Sequence, residues 1–400
     1  MVITFLVGNG FEMASGLKTS YQDFYKWYCN QPSEDDDISK FKKEISLDVK
    51  KGGKCWADLE KGLGRHTKKY TLETAPVFLR CYNDIQDAMI QYIEQERSRF
   101  DLQELRDETA DSFSNGLVQF RDDLNPMERK TIAHIFDATK NEDRVFRFIS
   151  FNYTDILDLC LSKISNKVLE SWKDGSRIRT LSCNPNVIHV HGTLDEFPIL
   201  GVNDESQVEN RELLSTLQLD VTLIKPKGVN AVGQTWHTDA EELIGTSHII
   251  CVYGMSLGET DARWWEILCG WLSQSDSHHL IIYWYAPSVK NRRSVNRTHT
   301  EIERVKDLFF DYSDMTKEAI GNVRDRVHVI LNTKTVLQFP LVENKPKLVS
   351  KEIKTSPSLI MENGLIDEEV LRQQMETAEE FKSQYQQFVR NSVPYLPRDY

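Results

Sequence analysis

The stretch FLVGNGFEMASGLKTS, residues 5–20, sets Gly8-Asn9-Gly10 directly behind an apolar run and ahead of a segment with helical pattern. An apolar run ended by glycine reads as a strand, and a strand-to-helix turn can aim backbone amides at a phosphate. The plainer reading is a tight turn that binds nothing. Two nucleotide motifs can be tested here. A P-loop needs lysine directly after its last glycine, but Leu17 separates Gly16 from Lys18-Thr19. A Rossmann fingerprint needs a third glycine where Met13 stands, and an acidic residue about 20 positions on at the end of a second strand; neither is found. The local expectation is a dinucleotide cradle at Gly8, Asn9, Gly10 and Phe11, without the signature of hydride-transfer enzymes.

Working outward, five more runs rich in Val, Ile, Phe and Tyr read as strands: 145–151, 187–190, 248–253, 280–285 and 327–331, after the first at 2–7. Several are almost wholly apolar, as in parallel strands buried on both faces. Helical stretches such as 154–164 and 261–272 lie between them. The alternation predicts an α/β fold with a doubly wound, mostly parallel, Rossmann-like sheet over residues 1–340. Residues 21–142 interrupt it and read as a helical insertion, with 84–100 a clear helix. The acidic run 34–37 reads as a solvated loop. From 341 to 400 the chain reads as a C-terminal extension with a Glu- and Gln-rich helix over 367–389.

The charge is −12, which disfavours a general nucleic-acid binder but leaves room for a small anion held by backbone amides. No apolar stretch is long enough for a membrane helix, and the start lacks the pattern of a signal peptide. Cys29, Cys55, Cys81, Cys160, Cys183, Cys251 and Cys269 form no CxxC pair. A cytoplasmic protein with free thiols, no membrane contact and no structural metal is expected.

In α/β sheets ligands sit beyond the carboxyl ends of the strands. The second strand ends Phe151-Asn152-Tyr153-Thr154-Asp155. Thr154 or Asp155 can cap the following helix, which leaves Asn152 to face a ligand or merely to close the turn. The third ends His189-Val190-His191-Gly192. His191 is placed as a general acid or base, with His189 a hydrogen-bonded core residue. Metal binding by this pair with Asp195 or His237 has no third ligand fixed by spacing. Two further turns carry groups no packing need explains: Gly201, Asn203 and Asp204, then Gly254, Ser256, Leu257 and Asp261.

In order, GNGFEMASGLKTSYQDF, CWADLE, FNYTDIL, VHVHGTL, LGVND and YGMSLGETDARWW resemble the AbiH family of bacteriophage abortive infection, from about residue 2 to 265. The series also looks like a distant sirtuin. That resemblance implies a sirtuin-like NAD-binding fold and NAD hydrolysis, with Asn152 and His191 catalytic and the other strand-end residues named above holding NAD. The chain departs from protein-deacylating sirtuins in lacking their paired CxxC motifs and in having Asn9 where their loop has alanine. Deacylation is therefore not expected. Glu60, in CWADLE, could reach the site from the insertion.

The expected function is an NAD glycohydrolase that depletes NAD in the infected cell, acting as a homo-oligomer with a phage component or second defence protein as trigger. The alternative is a non-catalytic module that senses a nucleotide or phage protein through oligomer or partner contacts. A hydrolase needs a titratable group at position 191; a sensor does not. A nuclease is disfavoured by the charge and by the lack of a carboxylate cluster with metal spacing.

Overall fold

The computed structural model describes residues 1–52, 56–100, 107–289 and 294–338. The chain divides into units Met1–Glu343 and Asn344–Tyr400. The expected helix over 367–389 lies outside the described residues.

Seven strands form one sheet: β1 (Val2–Val7), β2 (Arg144–Ser150), β3 (Glu170–Asp174), β4 (Arg177–His189), β5 (Ile249–Tyr253), β6 (His279–Trp284) and β7 (Val327–Leu331), in the order β3-β4-β2-β1-β5-β6-β7. All neighbours are parallel except β3 and β4. From the central β1 the chain builds outward through β2 and β4, then returns to lay β5, β6 and β7 on the other side.

Helices α1 (Gly10–Ala14), α2 (Tyr21–Tyr28), α3 (Asp36–Lys50), α4 (Leu59–His66), α5 (Ala75–Arg97), α6 (Asp107–Val118) and α7 (Pro126–Ala138) separate β1 from β2. α8 (Ile156–Ser162) follows β2, and α9 (Leu219–Leu223), α10 (Lys225–Ala231) and α11 (Trp236–Gly245) precede β5. α12 (Ala262–Gln274) joins β5 to β6, and α13 (Val295–Phe310) and α14 (Lys317–Val323) join β6 to β7. None of the described helices is long and apolar enough to cross a membrane.

Period-two alternation splits the strands between two cores. Ile3, Phe5 and Val7 of β1 join Phe146, Phe148, Cys251 and Ile281 on one face, packed by α6, α7 and α8. Leu6, Ile149, Ile250, Val252 and Ile282 point the other way, into Trp265, Leu268 and Phe309 of α12 and α13. Phe5 stacks on Phe148 with ring centroids 5.6 Å apart; burial of such a ring contributes roughly 1.5–3 kcal/mol.

The expected insertion at 21–142 divides. α2–α5 build a separate aromatic core around Tyr25, Tyr28, Trp56 and Phe78, which also takes in Leu200 and Leu223. α6 and α7 instead cover the sheet. The acidic run is no simple loop either: Asp35 caps α3, its carboxylate accepting from the amides of Asp37 and Ile38.

The β3–β4 hairpin was not expected from the sequence. β3 is ESWKD, an edge strand largely open to solvent, whose Trp172 alone among its side chains is a large apolar one packed against the core. Its turn is two residues, with Gly175 at φ +59°, the glycine geometry that tight hairpins demand. Further along β4 the register against β2 slips, so that Cys183 pairs with Phe146 but Val187 with Phe148. Pro185 sits in that slip and has no N–H for the ladder. Beyond it Ser150 pairs with His189, and Asn152 and His191 each follow that pair by two residues.

Candidate functional site

The glycine turn is not an open cradle. Gly8 N donates to Tyr253 O at 2.9 Å and Gly10 N to Gly254 O at 2.8 Å, so the ends of β1 and β5 are zipped together; Phe11 N is taken by Gly8 O at 3.0 Å. A Cβ on Gly10 would lie 2.5 Å from Gly254 Cα, and one on Gly254, which sits at φ +71°, 2.7 Å from Phe11 N. These glycines serve the approach of two backbones. Asn9 is locked to Thr19, its Nδ2 donating to the Thr19 carbonyl at 2.7 Å and its Oδ1 accepting from the Thr19 hydroxyl. Phe11 is fully buried in the core. The expected phosphate contacts of Gly8, Gly10 and Phe11 amides are thus already spent within the chain. Of the neighbouring turn, Ser256 is exposed, while Leu257 is buried at φ +52°.

At the end of β2 three of the expected ligand groups are engaged elsewhere. The Tyr153 hydroxyl donates to Ile199 O at 2.9 Å. Thr154 Oγ1 donates to Glu12 Oε1 at 2.5 Å. Asp155 occupies the N-cap position of α8 without a capping bond, and its carboxylate is gripped by Arg97 of α5. Glu12 is buried, and desolvation raises its pKa to about 7 against the opposing bonds from Thr154 and Thr19.

Asn152 differs. Its Nδ2 donates to Gly8 O at 3.3 Å, which fixes the amide orientation. Its Oδ1 is buried with no hydrogen-bond partner among the described residues. An unpaired buried acceptor costs about 1–3 kcal/mol, so such atoms need a reason.

The end of β4 supplies the second such atom. His189 is bonded at both ring nitrogens, to Asn152 O at 3.1 Å and Asp158 Oδ2 at 2.9 Å. Burial pulls its pKa down, but these partners outweigh burial and the net shift is upward. His191, 5% exposed, stands edge-on to the Phe151 ring at 5.4 Å. Burial first, then Lys225 and His237, push its pKa well below the usual histidine range, against a backbone bond to Phe151. Its Nε2 has no hydrogen-bond partner among the described residues. Asp261 Oδ1 is 3.5 Å from that nitrogen. Gly192, at φ +75°, turns where a Cβ would strike Phe197 O at 2.1 Å.

A buried ionic cluster adjoins His191. Lys225 Nζ donates to Asp261 Oδ1 at 2.8 Å and to Glu60 Oε2 at 3.0 Å. Desolvation raises the Glu60 pKa, with Lys225 opposing and Asp261 and Asp58 adding to the rise. Lys225 stays charged, because Asp261 and Glu60 outweigh its own burial. α4 is further tied to this edge by Asp58 with Thr260 and Lys61 with Glu259. Gly201 serves the cluster: a Cβ there would lie 2.4 Å from Leu223 O. Asn203 and Asp204 satisfy each other and their own turn, Asn203 Oδ1 also accepting from Arg263 N at 3.2 Å.

The structure thus gathers His191, Asp261, Lys225 and Glu60 and places Asn152 at the end of the neighbouring strand, while Asn9, Thr154, Asp155, Asn203 and Asp204 are bonded within the protein. Sequence reading missed Lys225 and Glu12; no local pattern marks either. Among the described residues no group of three His, Cys, Asp or Glu is arranged to hold a metal. A cavity of about 280 Å³ lies within the insertion, lined by residues such as Asp48, Trp56, Arg65 and Lys69 and by none of the strand-end residues.

A mostly parallel seven-stranded sheet with helices between its strands places the chain in the mixed α/β class. The chain belongs to the family described as bacteriophage abortive infection AbiH, whose model matches residues 4–283. Comparison with curated proteins and with solved structures returned no match.

Proposed function

We propose that this AbiH-family chain acts in abortive infection as an NAD glycohydrolase on a sirtuin-like, doubly wound fold, releasing nicotinamide and ADP-ribose. The observation that carries the reading is a pair of buried polar atoms without a hydrogen-bond partner among the described residues, Asn152 Oδ1 and His191 Nε2. A ribose hydroxyl or an ordered water can satisfy both, since either one donates and accepts. Adjacent strands lie about 4.8 Å apart, so residues two places beyond the paired ends of β2 and β4 can bind neighbouring groups of one sugar.

The residues fit the ribose end of NAD and do not fit a pyrophosphate on the Gly8 and Gly10 amides. Hydrolysis exchanges the bond from C1′ to nicotinamide for one to water oxygen and leaves one proton over. His191 accepts that proton at Nε2, while Asn152 Oδ1 orients the hydroxyl or water. Asp261 then faces the imidazolium and stabilises its charge. A homo-oligomer in the cytoplasm, set off by a phage component or a second defence protein, is the working form.

One observation favours the alternative of a nucleotide or partner sensor: the cavity in the insertion, apart from the strand-end residues. Incubation of purified protein with NAD, following nicotinamide and ADP-ribose by chromatography, tests the two. Product formation supports the hydrolase; stoichiometric binding without product supports the sensor.

A further inference from the structure

We propose that Lys225 is a positioning residue of the strand-end site and that the helical insertion completes the site through it; the inference rests on the reading of Asn152 and His191 as the substrate-binding pair. Lysine is almost never fully buried unless paired, and Lys225 is 3% exposed. It bridges two carboxylates from distant parts of the chain, Glu60 of α4 and Asp261 at the start of α12. A simple structural ion pair needs one carboxylate. Here the second carboxylate has His191 Nε2 on its other side, 3.5 Å away.

The backbone seats the lysine with care. Lys225 N donates to Val202 O at 3.0 Å and Val202 N to Leu223 O at 2.7 Å. Gly201 lets those segments meet, and its amide faces Glu60 Oε1 at 3.5 Å. CWADLE and GETDARWW therefore converge on one ammonium group through Glu60 and Asp261, and LGVND seats the backbone of the same lysine.

The consequence is chemical. Lys225 holds Asp261 so that Oδ1 stands ready beside His191 as the ring gains a proton. Glu60 keeps Lys225 from swinging away. Without the lysine, buried Glu60 and partly buried Asp261 would lose the cation between them. The other groups about His191 are the Phe151 and Tyr153 rings and His237 of α11, and none of them anchors Asp261.

The test is a ring-nitrogen NMR titration of the ligand-free full chain, with His191 assigned by its loss in His191→Ala. In Lys225→Met the protonation midpoint of His191 should rise by roughly one pH unit, because a positive neighbour is gone and Asp261 acts unopposed. Nicotinamide release should fall about 10-fold or more, mainly in kcat. Should Lys225→Met not fold, Glu60→Gln/Lys225→Met removes one carboxylate with the lysine, and the same upward shift is expected. An unmoved His191 titration in a folded variant overturns the proposal, as does unfolding of both variants, which would make Lys225 a structural ion-pair residue alone. A shifted titration in a protein whose wild type releases no nicotinamide supports the positioning role and removes the NAD reading instead.

Discussion

Gly10 N donates to Gly254 O at 2.8 Å, joining two glycine turns across the ends of β1 and β5. The contact leaves no room for a side chain at either residue. Gly10→Ala should therefore destabilise the fold by about 1–3 kcal/mol or more through overpacking. Urea denaturation checks this. Wild-type stability in Gly10→Ala would mean that the two turns do not meet.

How much of this was open to reading from the sequence differs from element to element. β1, β5 and β6 are nearly all apolar and bounded by turn residues, so their strand character shows in the residues themselves. β3 escapes because an exposed edge strand needs no apolar face. Asn152 and His191 stand out because each follows an apolar run where packing asks for nothing polar. The glycines mislead: phosphate binding and backbone crossing both favour glycine, and only the partner, Gly254, tells them apart. Lys225 is invisible for a related reason, since Glu60, Asp261 and His191 become its neighbours only through folding.

Buried Glu12 gives a stability signature. Its pKa is about 7 in the folded chain against an ordinary 4.5, so the folded state keeps a proton that the unfolded chain has lost. Stability should fall as pH rises between those values, with the full cost, about 3 kcal/mol at most, carried above pH 7. Glu12→Gln keeps an acceptor for Thr154 and removes the charge. It should flatten this part of the pH dependence and be the more stable protein at pH 8. Thermal melts from pH 5 to pH 8 decide it; parallel curves for the two proteins would refute the assignment.

The depressed pKa of His191 makes a kinetic prediction. A ring whose pKa lies well below the usual histidine range is already neutral across the physiological range. Turnover should then show no acid limb near pH 6.5, where an ordinary histidine base would be half protonated. The profile of kcat/KM against pH reads this directly, and a limb centred near 6.5 would place a different environment around the ring.

Turnover of NAD decides the role proposed for Asn152 and His191. Purified wild type, Asn152→Ala and His191→Ala, each verified as folded by circular dichroism, are incubated with NAD and the released nicotinamide is measured. That role requires release by the wild type and a loss of about 10²-fold or more in each variant. Absence of release by the wild-type protein, or equal release by all three, would contradict it.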